Sequence, residues 1–379
     1  MFWRRLVDGN PNWEPTSIGA RQIRSCFFND VDTATWQPFS WKLDPLTGLK
    51  KRMAGTVYHA SPDGRWLISA NLPLLGKTQA GYGLVLPRDS FGKDIGLDLG
   101  DGFYLTDTVS GERRLLVTIE DLMAKCCHLP MCKTTEGFCF YGFHSKFNSQ
   151  GTKVMLSLRW FPNPGEEHWE VFKSNFCEVN FAWFTVDLKD GTIHCAIGPE
   201  HFAKGGHHAN WCPDGENISL NLKLDGRSMR FVAAKFDGSH LRELVRDTRG
   251  SGHPTVHPSG RILTDTYLQK WDYPQYGDGT VPLRWVDPKT RDECVAVRIP
   301  VEQDCADNVL RVDPHPAWDR TWRYITFNGV IGGTRRVFLA DMKPLLDGTA
   351  YSFQRKPLQD GFLWRFRVLL GKTVRKLTS

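Results

Sequence analysis

No apolar run in this chain approaches the roughly 20 residues that cross a bilayer, and its opening, MFWRRLVDGNPNWEP, lacks the apolar centre of a secretory signal. A transmembrane segment is therefore not expected. The cytoplasm is the default address, with the periplasm or the cell exterior as the alternative if a leader has been removed. A concentrated basic patch is missing too. The 48 Lys and Arg against 42 Asp and Glu leave a net charge of +6 that is spread along the sequence, whereas nucleic-acid binders gather their charge on one face. Nucleic acid is not an expected partner; a polyanionic ligand is compatible with the balance.

Ten cysteines in 379 residues do not make a disulfide framework without a secretion signal. The cluster CCHLPMC, with Cys126, Cys127, His128, Cys132 and nearby Cys139, has no standard zinc spacing, because adjacent cysteines rarely ligate one ion. Buried thiols are expected there. A Gly-x-Ser-x-Gly elbow is absent, which removes the common serine hydrolase arrangement. Amphipathic helical periodicity is almost absent as well, as an all-β fold requires.

What is present is a core-forming composition, 41% apolar with Trp 14 and Phe 23, and a repeat. Five segments share one grammar: TVYHASPDGRWLISANL, GFHSKFNSQGTKVMLSLRW, GHHANWCPDGENISLNL, GHPTVHPSGRILTDTY and RVDPHPAWDRTWRYITF. Each is a short approach, a polar turn usually ending in Gly, and an apolar strand, the signature of a tight hairpin. Between them lie second strand pairs such as FYLTDTVSGERRLLVTI, FAWFTVDLKDGTIHCAI, RFVAAKFDGSHLRELV, PLRWVDPKTRDECVAVRI and RRVFLADM. Four strands per repeating unit predict an all-β fold, a β-propeller of four-stranded antiparallel blades around a central channel. An N-terminal unit within residues 20–53 completes six blades. Seven are expected if the first 15 residues and the C-terminal tail close another, and six is the alternative. The propeller is assigned to residues 1–350 as a single domain, and 351–379 is a basic tail that closes the ring or forms a short helix.

Counting back seven residues from the turn glycine lands on one residue type. Gly151 leads to His144, Gly215 to His208 and Gly260 to His253, while Trp322, in the turn position of the last unit, leads to His315. The first unit breaks the rule, with Val57 seven before Gly64. Equivalent residues on first strands form a ring at one mouth of a propeller channel, so the imidazoles are expected to converge. Such a set suits a divalent metal, zinc or manganese in preference to calcium, completed by a carboxylate. Asp313 lies two residues before His315 and projects to the same side if that segment is extended. His207 adds a second imidazole beside His208, although neighbours in a strand point to opposite faces. His257 falls in a turn and is expected at the surface. Arg159, Tyr267 and Arg311 cluster near the same positions in the repeat, and an arginine can hold a carboxylate with two parallel hydrogen bonds.

The pieces SPDGRWLISANL, FHSKFNSQGTKVMLSLRW, GHPTVHPSGRILTDTY and RVDPHPAWDRTWRYITFNG resemble bacterial propeller proteins related to oligogalacturonate lyases and ulvan lyases, from about residue 20 to about residue 345. The resemblance implies a lyase that cleaves a uronic-acid polysaccharide or oligosaccharide by metal-assisted β-elimination at the central funnel. It further implies metal ligation by His253 and His315, with His144 at the catalytic mouth. The metal set expected is then His208, His253, Asp313 and His315; the catalytic set is His144, Arg159, Tyr267 and His207; and Arg311, Trp160, Trp211 and Tyr82 are the substrate-binding candidates. One departure stands out: where relatives often carry His-Arg-Trp, this chain has Leu158-Arg159-Trp160. A non-catalytic propeller that binds acidic glycan or a partner protein is the alternative.

Overall fold

The structure is a computed structural model that describes residues 25–78, 82–84, 86–87, 98–126, 135–163, 179–266, 280–300 and 312–348. It is an all-β protein of antiparallel propeller blades. Six blades lie within the described residues; the segments expected to close a seventh, 1–15 and the tail, lie outside them.

Blade 1 is three strands, β1 (Cys26–Val31), β2 (Pro38–Leu43) and β3 (Lys50–Met53). Blade 2 is β4 (His59–Ala60), β5 (Trp66–Ser69), β6 (Gly102–Asp107) and β7 (Arg113–Thr118), and blade 3 is β8 (Phe138–Phe147), β9 (Lys153–Pro162), β10 (Asn180–Asp187) and β11 (Ile193–Ile197). Blade 4 is β12 (Gly206–Trp211), β13 (Asn217–Leu222), β14 (Arg230–Lys235) and β15 (Arg242–Glu243). Blade 5 is β16 (Thr255–Val256), β17 (Ile262–Thr264), β18 (Thr280–Val286) and β19 (Glu293–Pro300), and blade 6 is β20 (Ala317–Trp318), β21 (Tyr324–Ile331) and β22 (Thr334–Asp341). In every blade, strands pair in sequence order. RRVFLADM, expected as a strand pair, is the single strand β22, because the Gly332–Gly333 turn that precedes it is already the link from β21.

The chain divides into two compact units. Of the described residues, one unit holds those within 25–244 and 249–255, and the other holds those within 245–248, 256–300 and 312–348. In the first, Phe103 and Leu105 of blade 2 pack with Phe140, Leu156, Trp160 and Phe184 of blade 3 in one apolar cluster. A second cluster joins Met155 and Trp183 of blade 3 to Ile218, Leu220 and Val232 of blade 4. The other unit has its own core, where Leu283 and Trp285 of blade 5 meet Ile325 and Phe327 of blade 6. Each fully buried Leu, Ile or Phe in these clusters contributes about 1.5–3 kcal/mol.

Burial follows the order of strands. The second strand of blade 3, KVMLSLRWFP, is buried almost throughout because a neighbouring blade covers each face, whereas the outer strand of blade 2, RRLLVT, is exposed over its first half. No helix of the described residues is long and apolar enough to cross a membrane.

Candidate functional site

The five turns of the repeat have one geometry. Gly64, Gly151, Gly215, Gly260 and Trp322 all have positive φ, between 59° and 85°, and the N–H of each donates to the carbonyl three residues earlier. Trp322 therefore occupies the glycine position in structure as in register, at the backbone cost a side chain bears in the left-handed region.

Seven residues before three of these turns the ladder is broken by a bulge. In blade 3, Gly142 opposes Leu158 and Ser145 opposes Leu156, so Phe143 and His144 share the place opposite Ser157. In blade 4, His208 and Ala209 lie between His207, opposite Asn221, and Asn210, opposite Ser219. In blade 6, Asn328 N–H donates to the Pro314 carbonyl and Ala317 opposes Thr326, which leaves His315 and Pro316 facing Phe327. His208 has φ 58° and His315 φ 46°. Bulges re-aim side chains, and this one carries a histidine each time.

The re-aiming overturns one expectation. His207 and His208 do not point to opposite faces; their rings meet edge-on, 4.4 Å between centroids, because the positive φ of His208 breaks the strand alternation. His208 then meets His253 at 3.9 Å, again edge to face. Residues 249–255, which carry His253, are tied into the same unit. Arg249 bridges Arg230, and the buried Asn221 amide donates to the carbonyls of Ser251 at 3.1 Å and Gly252 at 2.8 Å. The GSG before His253 follows from this fit: a Cβ on Gly250 would lie 2.6 Å from Asn221 Oδ1, and Gly252 has φ +54°.

In the other unit, His315 Nε2 stands 3.9 Å from a carboxylate oxygen of Asp313, the side chain of which is 8% exposed. The His315 N–H donates to Asp265 Oδ2 at 3.0 Å, and Asp265 is fully buried. Asp265 was not among the sequence candidates. Its signal was an acidic residue inside the apolar run ILTDT.

A third cluster surrounds His144. The ring is buried, 9% exposed; it stacks on Trp183 at 5.9 Å and 12°, and meets Phe143 edge-on at 3.9 Å. Its Nδ1 is hydrogen-bonded to the Tyr58 hydroxyl. Arg159 lies over Phe143 at 3.6 Å and over Phe181 at 5.2 Å, cation–π contacts that fix the guanidinium. Tyr82, half-buried, packs on Phe143 at 5.0 Å. Burial raises the Tyr141 phenol above its ordinary range, opposed by Arg159, which also hydrogen-bonds it.

Other candidates fall elsewhere. Trp160 is a core residue, 1% exposed and stacked on Phe140, which leaves it no face for a ligand; neighbouring blades cover both sides of its strand. Trp211 is largely buried and its indole N–H donates to the Lys146 carbonyl at 2.9 Å. His257 is half-buried in a tryptophan cluster where the sequence predicts an exposed turn residue. Its Nδ1 accepts from Ser259 N–H, its Nε2 donates to the Trp322 carbonyl at 3.1 Å, and Trp285, Trp318 and Trp322 surround it. Burial lowers its pKa, with the Trp322 carbonyl opposing. Tyr267, Arg311, Cys127, His128 and Cys132 lie outside the described residues, whereas Cys126 and Cys139 are buried, with the Cys139 thiol pushed up to about 11 by burial.

No family model matches this chain, and no curated protein matches it. Among solved structures it is similar to TolB from Acinetobacter baumannii, at 11% identity and TM-score 0.45, over 83% of this chain and 60% of that one. It is similar to tricorn protease at 9% identity and TM-score 0.49, over 86% of this chain and 29% of that one. An oligogalacturonate lyase in complex with manganese is similar at 14% identity and TM-score 0.40, over 84% of this chain and 96% of that one. The chain thus spans less than two thirds of the first and less than one third of the second. All three likenesses are distant, and none carries a substrate, metal or reaction over to this protein.

Proposed function

We propose that the protein is a polysaccharide lyase that cleaves a uronic-acid-containing glycan by metal-assisted β-elimination. The observation that carries the reading is the edge-to-face contact of His208 and His253, two histidines of one repeat register brought together from separate segments of one unit. The repeat register of the sequence nominates His208, His253, Asp313 and His315 as the side chains that would hold the metal. Imidazole nitrogens and one carboxylate are donors that fit zinc or manganese, whereas calcium prefers a shell of oxygens. A divalent ion held by these residues would supply positive charge to neutralise the uronate carboxylate, the charge that otherwise opposes removal of the adjacent proton.

The side chains divide the remaining work. Arg159, its guanidinium pinned on Phe143 and Phe181, holds the carboxylate through paired N–H donors. His144 accepts the proton from the carbon beside the carboxyl. The electron pair of that C–H bond becomes a carbon–carbon double bond as the bond to the glycosidic oxygen breaks. The leaving oxygen takes a proton, for which Tyr267 is the sequence candidate. His207, against His208, steadies that ring. Tyr82 packs beside the cluster as a sugar-binding surface, and Arg311 supplies a second cation.

One observation favours a second reading. Leu158, where related lyases often carry a histidine, is fully buried in the core of blade 3, so no imidazole can serve there. A binding module for acidic glycan would tolerate that loss. The test is the ultraviolet absorbance of unsaturated product on pectate fragments, ulvan, glucuronan and glycosaminoglycans, with Mn²⁺ or Zn²⁺ supplied. Absorbing product from one polymer supports the lyase. Glycan retention without product supports the binder, and neither removes both.

A further inference from the structure

We infer that Tyr58 and His144 act as one proton-accepting pair, an assignment that rests on the lyase reading above. Blade 2 breaks the histidine rule with Val57, and the next residue is Tyr58. Its N–H is bonded to the Ile68 carbonyl at 2.8 Å as the chain enters β4. From there its hydroxyl reaches into the neighbouring blade and meets His144 Nδ1. Both side chains belong to buried residues, each 9% exposed. The blade without the register histidine thus supplies a hydroxyl to the histidine of the next blade.

The geometry limits where a proton can go. Trp183 stacks on the imidazole, Phe143 abuts it edge-on, and the Tyr58 ring lies 5.3 Å away, so the ring is fixed with Nδ1 committed to the phenol. A proton taken from substrate therefore enters at Nε2 or at the Tyr58 oxygen. Entry at the oxygen drives the phenol's own proton onto Nδ1; entry at Nε2 leaves the Nδ1 proton donating to the phenol oxygen. Either route ends in an imidazolium and a neutral tyrosine, and both need the pair. Tyr58 is a catalytic residue by the first route and a positioning residue by the second.

The experiment compares Tyr58→Phe, His144→Gln and the double variant on the oligouronate that the wild type cleaves best. Each single substitution should lower kcat by roughly 100-fold or more with KM nearly unchanged. The double variant should be no worse than the poorer single, as for groups that act as a unit. Near-wild-type kcat in Tyr58→Phe, or losses that multiply, would overturn the pairing. Histidine ¹⁵N resonances give a readout free of turnover: His144 Nδ1 should move in Tyr58→Phe, and an unmoved resonance rejects the pair. If no uronate polymer is cleaved, the lyase reading fails and the ¹⁵N measurement alone decides whether the two groups share a proton.

Discussion

Blades 3 and 6 place a histidine at the same repeat position by the same device, yet surround it differently. In both, a bulge seven residues before a left-handed turn residue carries the imidazole. Around His144 the neighbours are a phenol and stacked aromatics, and the ring is buried. Around His315 they are the Asp313 carboxylate and, at its own N–H, the buried Asp265, and the side chain keeps 29% of its exposure. The bulge delivers position; the neighbours decide chemistry. An imidazole beside a carboxylate is suited to metal ligation, and one bonded to a phenol is suited to proton transfer.

The sharpest break between the two blades should come from His315→Ala and His253→Ala, which are expected to abolish metal retention and activity together. His144→Ala should lower kcat by about 10²–10⁴-fold while metal content stays at the wild-type level. Loss of metal in His144→Ala would erase the distinction. Next in size, Asp265→Asn weakens the anchor of the His315 backbone without touching blade 3, and metal affinity should fall by roughly 10–100-fold, measured by competition with a chelator. A smaller effect is expected in the turns. Gly151 has φ +72°, and a Cβ there would lie 3.2 Å from Pro62 Cδ, so Gly151→Ala should cost about 1–2 kcal/mol in denaturant unfolding.

The smallest effect concerns pH. His257 has its folded-state pKa lowered from 6.5, chiefly by burial. The unfolded chain therefore takes up this proton first on acidification, and stability falls as pH drops below about 6.5. His257→Gln should flatten the decline of Tm between pH 7 and 5; an unchanged slope would mean that the tryptophan cluster does not resist its protonation.

Turns and register were legible in the sequence because left-handed backbone demands glycine at fixed spacing, and even Trp322 was found by counting. The bulges were not, since a bulge depends on how many residues the partner strand offers, as at Gly142 and Ser145 against Leu158 and Leu156. That is why His207 and His208 were expected on opposite faces. Trp160 reads in sequence as a ligand-facing aromatic, whereas the adjacent blade covers it. Asp265 and Tyr58 are hard to read in sequence for a related reason: a lone acid in a strand and a tyrosine in the repeat that breaks the rule acquire meaning only from their partners in neighbouring blades.

The central claim is that histidines of one register hold a metal. The most direct test is elemental analysis of untagged protein, equilibrated with Mn²⁺ or Zn²⁺ and freed of unbound ion. The expected result is one tightly held divalent ion per chain, absent from a His253→Ala, His315→Ala double variant. Wild type that retains no more metal than the double variant would contradict it.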